Sequence, residues 1–419
     1  MESSPILISP SKGSVQNDIF SGITVALALV PEAVAFAFVA GVSPLVGLYG
    51  AFIMSLITSL FGGRPGMISG ATGAMAVVMV SLVSEGNLMG PVGGNAGLQY
   101  LFFTLLAVGI LQILAGVFKL GKFIRLVPRP VMMGFVNGLA LVIFLSQLNM
   151  FKAGGEWIQG SSLWLMLGLV ALTLFLLFVI PKIHKKAPGA LIAIIIVSLL
   201  VFFVGLDTAT VLSFIQHNGG EGIKGTLPYF AFPQVPLNIE TLTFILPYAL
   251  ILTAIGLIES LMTLNLIDEL TKTRGHGNRE CMAQGAANFL NGIFGGMGGC
   301  AMIGQSIINI TTGGRGRLSG VVASLTLLFF ILFASPYIEA VPISALVGVM
   351  FFVVIKTFAW STFNIINKVP KWDIAVILIV TVLTVVFDLA IAVIAGVVIS
   401  ALIFSWENAL RIRARKSVD

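Results

Sequence analysis

Two carboxylates and two glycine-rich stretches are the parts of this chain best suited to chemistry. Glu32 sits in Val30-Pro31-Glu32-Ala33 and Glu259 in Leu257-Ile258-Glu259-Ser260, each midway along a long apolar run. The glycine-rich stretches are Gly66-Met67-Ile68-Ser69-Gly70-Ala71-Thr72-Gly73-Ala74-Met75 and Gly296-Met297-Gly298-Gly299-Cys300-Ala301-Met302-Ile303-Gly304-Gln305-Ser306. Each opens into an apolar run shorter than the roughly 20 residues a full helical span needs. The first N–H groups of a helix lack intrahelical partners, and the helix dipole leaves partial positive charge there. Two half-helices starting near the bilayer midplane from opposite sides would aim two such ends at one point. That makes an anion site out of backbone.

Small residues are needed so that a ligand reaches the amides. Ser69, Ala71, Thr72, Gly73 and Ala74 meet this in the first break, and Cys300, Ala301, Met302 and Ile303 begin the second. The Thr72 hydroxyl adds a side-chain donor. Gln305 follows Ile303 by two residues and faces either the site or a neighbouring helix. The structural alternative is that small residues only let helices pack closely; a matched pair at inverted positions favours a site. A charge at the bilayer centre costs about 2.5–3.5 kcal/mol, so Glu32 and Glu259 read as functional. A carboxylate there could carry a proton, or ligate Na⁺ together with Thr263, one turn beyond Glu259. The structural alternative is a hydrogen bond to a backbone N–H freed beside Pro31 or another break.

Other polar residues have blander readings. Asn137 and Asn309 are read as helix–helix hydrogen-bonders. Arg315 and Arg317 are read as loop anchors, and Asp268, Glu269, Lys272 and Arg274 as a solvated loop. His184, His217 and His276 fall in loops. Cys281 and Cys300 form no CxxC, so neither a disulfide framework nor a metal site is supported. There is no His-Glu-x-x-His, Gly-x-Ser-x-Gly or P-loop, so the chain is not read as an enzyme, and movement of a solute would be secondary or passive.

The elements that must hold these residues follow from composition. Of 419 residues, 58% are hydrophobic and 10% charged, with a mean hydropathy of +1.06, against about 25% charged in a soluble domain. This is an all-α polytopic membrane protein. Apolar runs predict fourteen spans, at about 18–40, 43–62, 69–84, 98–118, 124–149, 163–181, 187–205, 242–266, 279–295, 301–311, 317–335, 341–360, 371–387 and 389–407. Segments 69–84 and 301–311 are the short ones. A polar connection from Leu206 to Ile239 separates seven from seven, and an odd number per half makes the repeat inverted. With the N-terminus inside, all 23 Lys and Arg except Lys152 and Lys224 fall in cytoplasmic segments. The net charge of +6 thus reflects membrane topology rather than nucleic-acid binding. The first 17 residues lack the apolar core of a signal peptide, and the basic run 411–416 reads as a cytoplasmic anchor.

At this point the chain resembles the sulfate-permease (SulP) family of anion transporters. The resemblance rests on Asp18-Ile19-Phe20-Ser21-Gly22-Ile23-Thr24-Val25-Ala26, Val30-Pro31-Glu32-Ala33, Gly47-Leu48-Tyr49, Phe61-Gly62-Gly63, Thr72-Gly73 and Asn278-Arg279-Glu280. It implies the uracil-permease-like 7+7 fold, with a cytoplasmic segment 1–17, a core of 18–122 and 241–336, and a gate of 123–206 and 337–407. An extracytoplasmic connection, 207–240, and a basic tail, 408–419, complete it. The family usually continues into a cytoplasmic STAS domain, and this chain stops where that domain would begin. The implied activity is elevator-type secondary transport of a small inorganic anion, sulfate or bicarbonate, by a homodimer in the bacterial inner membrane with both termini cytoplasmic. The resemblance places Thr72 against the anion and Glu259 with Thr263 at the coupling ion. Thr72, Gly73, Ala74, Ala301, Met302, Ile303, Gln305 and Glu32 thus form the expected substrate site. No cofactor is expected beyond a coupling H⁺ or Na⁺. Ile303 replaces a Thr of the Na⁺ type, Gln305 an Arg beside the anion, and Glu32 a common Gln, a pattern that leans towards protons. The alternatives are a nucleobase permease of the same fold, or an uncoupled channel or exchanger.

Overall fold

The computed structural model describes residues 14–90, 95–121, 128–153, 156–183, 189–217, 225–365 and 370–386, with scattered positions between 392 and 403. The first half runs α1 (Val15–Val39), α2 (Pro44–Phe61), β1 (Ser69–Ala71), α3 (Gly73–Met89), α4 (Ala96–Val117) and α5 (Arg129–Leu148). A small hairpin follows, β2 (Lys152–Ala153) with β3 (Glu156–Trp157), then α6 (Ser161–Ile183) and α7 (Gly189–Val204). The connection holds α8 (Val211–His217), which its polar composition does not announce. The second half runs α9 (Ile239–Thr271), α10 (Gly277–Phe294), β4 (Gly299–Ala301), α11 (Ile303–Thr311) and α12 (Arg317–Phe333). Then come α13 (Ser335–Glu339), α14 (Ile343–Thr357), α15 (Ser361–Ile365) and α16 (Lys371–Val386). Among the described residues, six helices are long and apolar enough to cross a membrane by length and composition, and α3, α7, α12 and residues 130–145 are shorter apolar helices. Most of the expected span 389–407 and the whole tail 408–419 lie outside the described residues.

Local chemistry sets the ends of these helices. Pro44 opens α2, where its missing N–H has no intrahelical partner to lose. Asn238 caps α9 by accepting the Thr241 N–H at 2.8 Å. Gly295 closes α10 in the left-handed region, with φ at +73°.

The chain divides into two compact units, 1–122 with 146–352, and 123–145 with 353–419. In the second unit Asn137 donates to Thr362 Oγ1 at 3.0 Å and accepts the Ala359 N–H at 2.9 Å, the cross-element bonding expected of it. In the first unit packing is reciprocal between the halves. Helix α1 packs on α11 and α12, while α9 packs on α3 and α4; likewise α2 packs on α12 and α10 on α4. The α4–α10 crossing is close because Gly109 and Gly285 face one another, and a Cβ on Gly285 would lie 2.6 Å from the Gly109 carbonyl.

One expectation is corrected. The first unit is not purely helical, because the two glycine-rich breaks meet as an antiparallel ladder, Ser69 opposite Ala301, Gly70 opposite Cys300 and Ala71 opposite Gly299. Backbone unwound at membrane depth must satisfy its polar groups within the protein, and the two strands do this for one another. The approach requires glycine, since a Cβ on Gly299 would run into the Gly70 carbonyl.

Candidate functional site

The β1–β4 ladder decides where the two half-helices begin. Helix α3 leaves the ladder at its Ala71–Gly299 end and α11 at its Ser69–Ala301 end. Thr72 and Met302 are the extended residues before each helix, and neither side chain caps its helix. The first intrahelical bonds are Ala76 N–H to Thr72 O and Ser306 N–H to Met302 O, both 3.0 Å. The amides of Gly73, Ala74 and Met75, and of Ile303, Gly304 and Gln305, therefore lack an acceptor four residues back. Helical N–H groups point towards their own N-terminus, so both sets face back towards the ladder. A Cβ on Gly304 would meet no atom within 4 Å, so the first turn of α11 opens onto free space.

Each carboxylate stands by one of these starts. Glu32, on α1, lies near Gln305 in the first turn of α11. Gln305 is only 2% exposed, and its Nε2 has no well-formed hydrogen bond. Glu259, on α9, accepts from the Cys300 thiol at 3.0 Å, and Cys300 Sγ lies 3.2 Å from Thr72 Oγ1. Thr263 donates to the Glu259 carbonyl at 2.8 Å and approaches the Ala301 carbonyl at 3.4 Å.

The ladder is braced on several sides. The Ala301 N–H donates to Ser260 Oγ at 3.1 Å, and the Met302 N–H to the Ile68 carbonyl at 2.9 Å. Ser306 Oγ accepts the Ile68 N–H at 3.0 Å. From α10, Gln284 donates to Ser69 Oγ and to Glu280, both at 2.8 Å, and Glu280 accepts the Gly63 N–H at 2.8 Å. Asn288 holds Gly299 and donates to Gln112 at 2.9 Å.

Beyond the break, basic residues tie the halves together at one end. Arg317 donates to the carbonyls of Ser59, Leu60 and Gly62 at the end of α2, and Arg279 to that of Phe61. Arg64 pairs with Asp268 at 3.2 Å and also donates to Thr271 and Thr273. Burial lowers the Arg64 pKa from its ordinary value, and Asp268 opposes that. Asp268 is thus helical and paired rather than part of a solvated loop, because α9 runs on to Thr271. Arg315 and Arg317 do anchor their loop, with Asp18 accepting the Arg315 and Gly316 N–H groups at 2.8 and 3.1 Å. Asn309 bonds across elements as expected, donating to the Gly66 carbonyl and to Ser319 Oγ, both at 2.8 Å.

The structure therefore gathers the expected site residues around one ladder. Thr72, Gly73 and Ala74 open α3; Met302, Ile303 and Gln305 open α11; Ala301 ends β4; Glu32, Glu259 and Thr263 flank them. Sequence reasoning gave Cys300 only the place of a small residue in the second break, and gave no part to Ser260, Gln284 or Asn288. A signal for two of these existed. Glu280, Gln284 and Asn288 recur every four residues within one expected span, which places them on one helix face.

Comparison with known proteins agrees with this architecture. The sequence pattern of the Sulfate permease family matches residues 15–381. The chain is 45% identical over 395 residues to the "Putative sulfate transporter YbaR" of Bacillus subtilis (strain 168), covering 94% of this chain and 77% of that protein. It is 31% identical over 404 residues to the bicarbonate transporter BicA of Picosynechococcus sp., covering 92% of this chain and 69% of that one. Among solved structures, the transmembrane domain of a cyanobacterium bicarbonate transporter BicA matches with a TM-score of 0.77 at 29% identity, covering 90% of this chain and 97% of that chain. SLC26A9 matches with a TM-score of 0.75 at 15% identity, covering 94% of this chain and 66% of that chain, which speaks for the fold alone. These matches and the apolar helices make the chain a multi-pass membrane protein with a transporter fold.

Proposed function

The chain belongs to the sulfate permease family, and from that premise we propose that it is a secondary active transporter of inorganic oxyanions of the sulfate or bicarbonate class. The observation that carries the proposal is the β1–β4 ladder, which sets two uncapped helix starts around one small-residue centre. The anion sits between the first turns of α3 and α11. It is held by amides of Gly73, Ala74, Ile303, Gly304 and Gln305 and by the Thr72 hydroxyl, with Ala301, Met302 and Glu32 around it. Preformed amide donors in a water-poor site hold an oxyanion without a fixed cation.

Glu259 with Thr263 takes the coupling ion. Two ionised carboxylates near an anion would repel it, which favours loading with at least one charge met by a cation. The Ile303 side chain offers no oxygen to Na⁺, so the proton is the preferred partner.

The fourteen-span inverted repeat supplies a core of 18–122 and 241–336, which slides against a gate of 123–206 and 337–407 in an elevator motion. Two copies form a homodimer in the bacterial inner membrane. The basic cluster of Arg64, Arg279, Arg315 and Arg317 gathers at one end of the core, which supports a cytoplasmic placement of that end and of both termini.

Uptake by the reconstituted protein of sulfate, bicarbonate, chloride and uracil, with and without Na⁺ and a pH gradient, tests the reading. Saturable oxyanion accumulation that follows one of the gradients is expected. Uracil uptake without oxyanion uptake would assign the nucleobase alternative, and unsaturable electrogenic flux would assign the channel.

A further inference from the structure

Cys300 touches both ends of the site. Its thiol is fully buried, 3.0 Å from Glu259 Oε2 and 3.2 Å from Thr72 Oγ1. An ionised carboxylate only accepts hydrogen bonds, so the S–H is committed to Glu259. The Thr72 contact must then run from the hydroxyl to the sulfur, which turns the Thr72 proton away from the anion. Either atom of the Thr72–Cys300 pair is able to donate. Once a cation meets the charge on Glu259, the S–H is released and turns to Thr72 Oγ1. The Thr72 hydroxyl is then free to donate to the anion.

Resting on the transporter reading, we propose that Cys300 is a positioning residue that links the coupling-ion end of the site to the anion end by setting the direction in which Thr72 donates. At Cys300 and Thr72 only hydrogen-bond direction changes; where the cation is a proton, the one bond formed is the O–H on Glu259, with the proton drawn from the surrounding water. A thiol suits this because its bonds are weak in both directions and reverse at small cost. The surroundings keep other charges away from the link. Of the elements packed on α9, α4 and α11 carry no Asp, Glu, Lys, Arg or His, and β4 carries only Cys300. Glu85 of α3 is exposed; on α10, Arg279 donates to the Phe61 carbonyl and Glu280 is bonded to Gly63 and Gln284. Glu32 lies on α1, near Gln305 at the start of α11.

The test is binding of radiolabelled sulfate and bicarbonate to the purified protein, titrated against Na⁺ at fixed pH and against pH at fixed Na⁺. Linked sites shift one another's affinity by about fivefold or more, and the unaltered protein should show such a shift with one cation. Cys300→Ala should reduce that shift below about twofold, and Cys300→Ser, which keeps a donor and an acceptor, should restore it. Thr72→Val cuts the link from its other end and gives the same loss of shift if Cys300→Ala does not fold. A full shift in Cys300→Ala or Thr72→Val, beside anion binding by the unaltered protein, overturns the inference alone. Failure of the unaltered protein to bind either anion overturns the transport reading and the inference with it.

Discussion

Asn288 holds Gly299 at both of its backbone groups: the Gly299 N–H donates to Asn288 Oδ1 at 2.9 Å, and Asn288 Nδ2 donates to the Gly299 carbonyl at 3.0 Å. Gly299 is the residue where β4 meets the end of β1 from which α3 departs. One α10 side chain thus fixes the ladder on which both helix starts depend. Asn288→Ala removes these bonds and a third to Gln112, and leaves buried polar groups unpaired. A loss of about 2–4 kcal/mol is expected, seen as a lower thermal midpoint in detergent. An unchanged midpoint would show that the ladder holds without the clamp.

Gly304 provides a test of where the ligand lies. Its first-turn position faces open space, so the Cβ of Gly304→Leu meets no protein atom within 4 Å. The added side chain occupies the volume assigned to the anion. Anion affinity should fall by about tenfold or more while thermal stability stays within about 0.5 kcal/mol, as for a substitution that breaks no contact. Unaltered affinity would move the anion away from the start of α11.

Thr72→Val keeps the shape of the side chain and removes its hydroxyl. A hydrogen bond to a charged partner contributes about 1.5–3 kcal/mol, so anion Kd should rise by about tenfold or more. Equal Kd values for the two proteins in an equilibrium binding assay would take Thr72 out of the site.

Glu259→Gln retains an acceptor for the Cys300 thiol and removes the charge. Transport should then lose its dependence on pH and Na⁺, leaving exchange of anion down its own gradient. Persistence of the original dependence in proteoliposomes would transfer the coupling role elsewhere, with Glu32 the first position to examine.

The membrane class, most helices and the two breaks were legible in the chain because each is a local property. An apolar run of about 20 residues has few alternatives in a bilayer, and glycine clusters interrupt a helix wherever they fall. Glu32 and Glu259 stood out because charge is rare in such runs. Pairing between the breaks was not legible. Ser69 and Ala301 are far apart in sequence, and neither carries a mark that names its partner. The strands were also too short for their alternation to be read. The same holds for Cys300, which looks like one more small residue until folding sets it between Glu259 and Thr72. Sequence determined which residues are costly to bury, since that cost belongs to each side chain alone. Tertiary structure decided which of them meet, because a hydrogen bond depends on two groups coming within about 3 Å, and the packing of α1 and α9 across opposite halves brings them there.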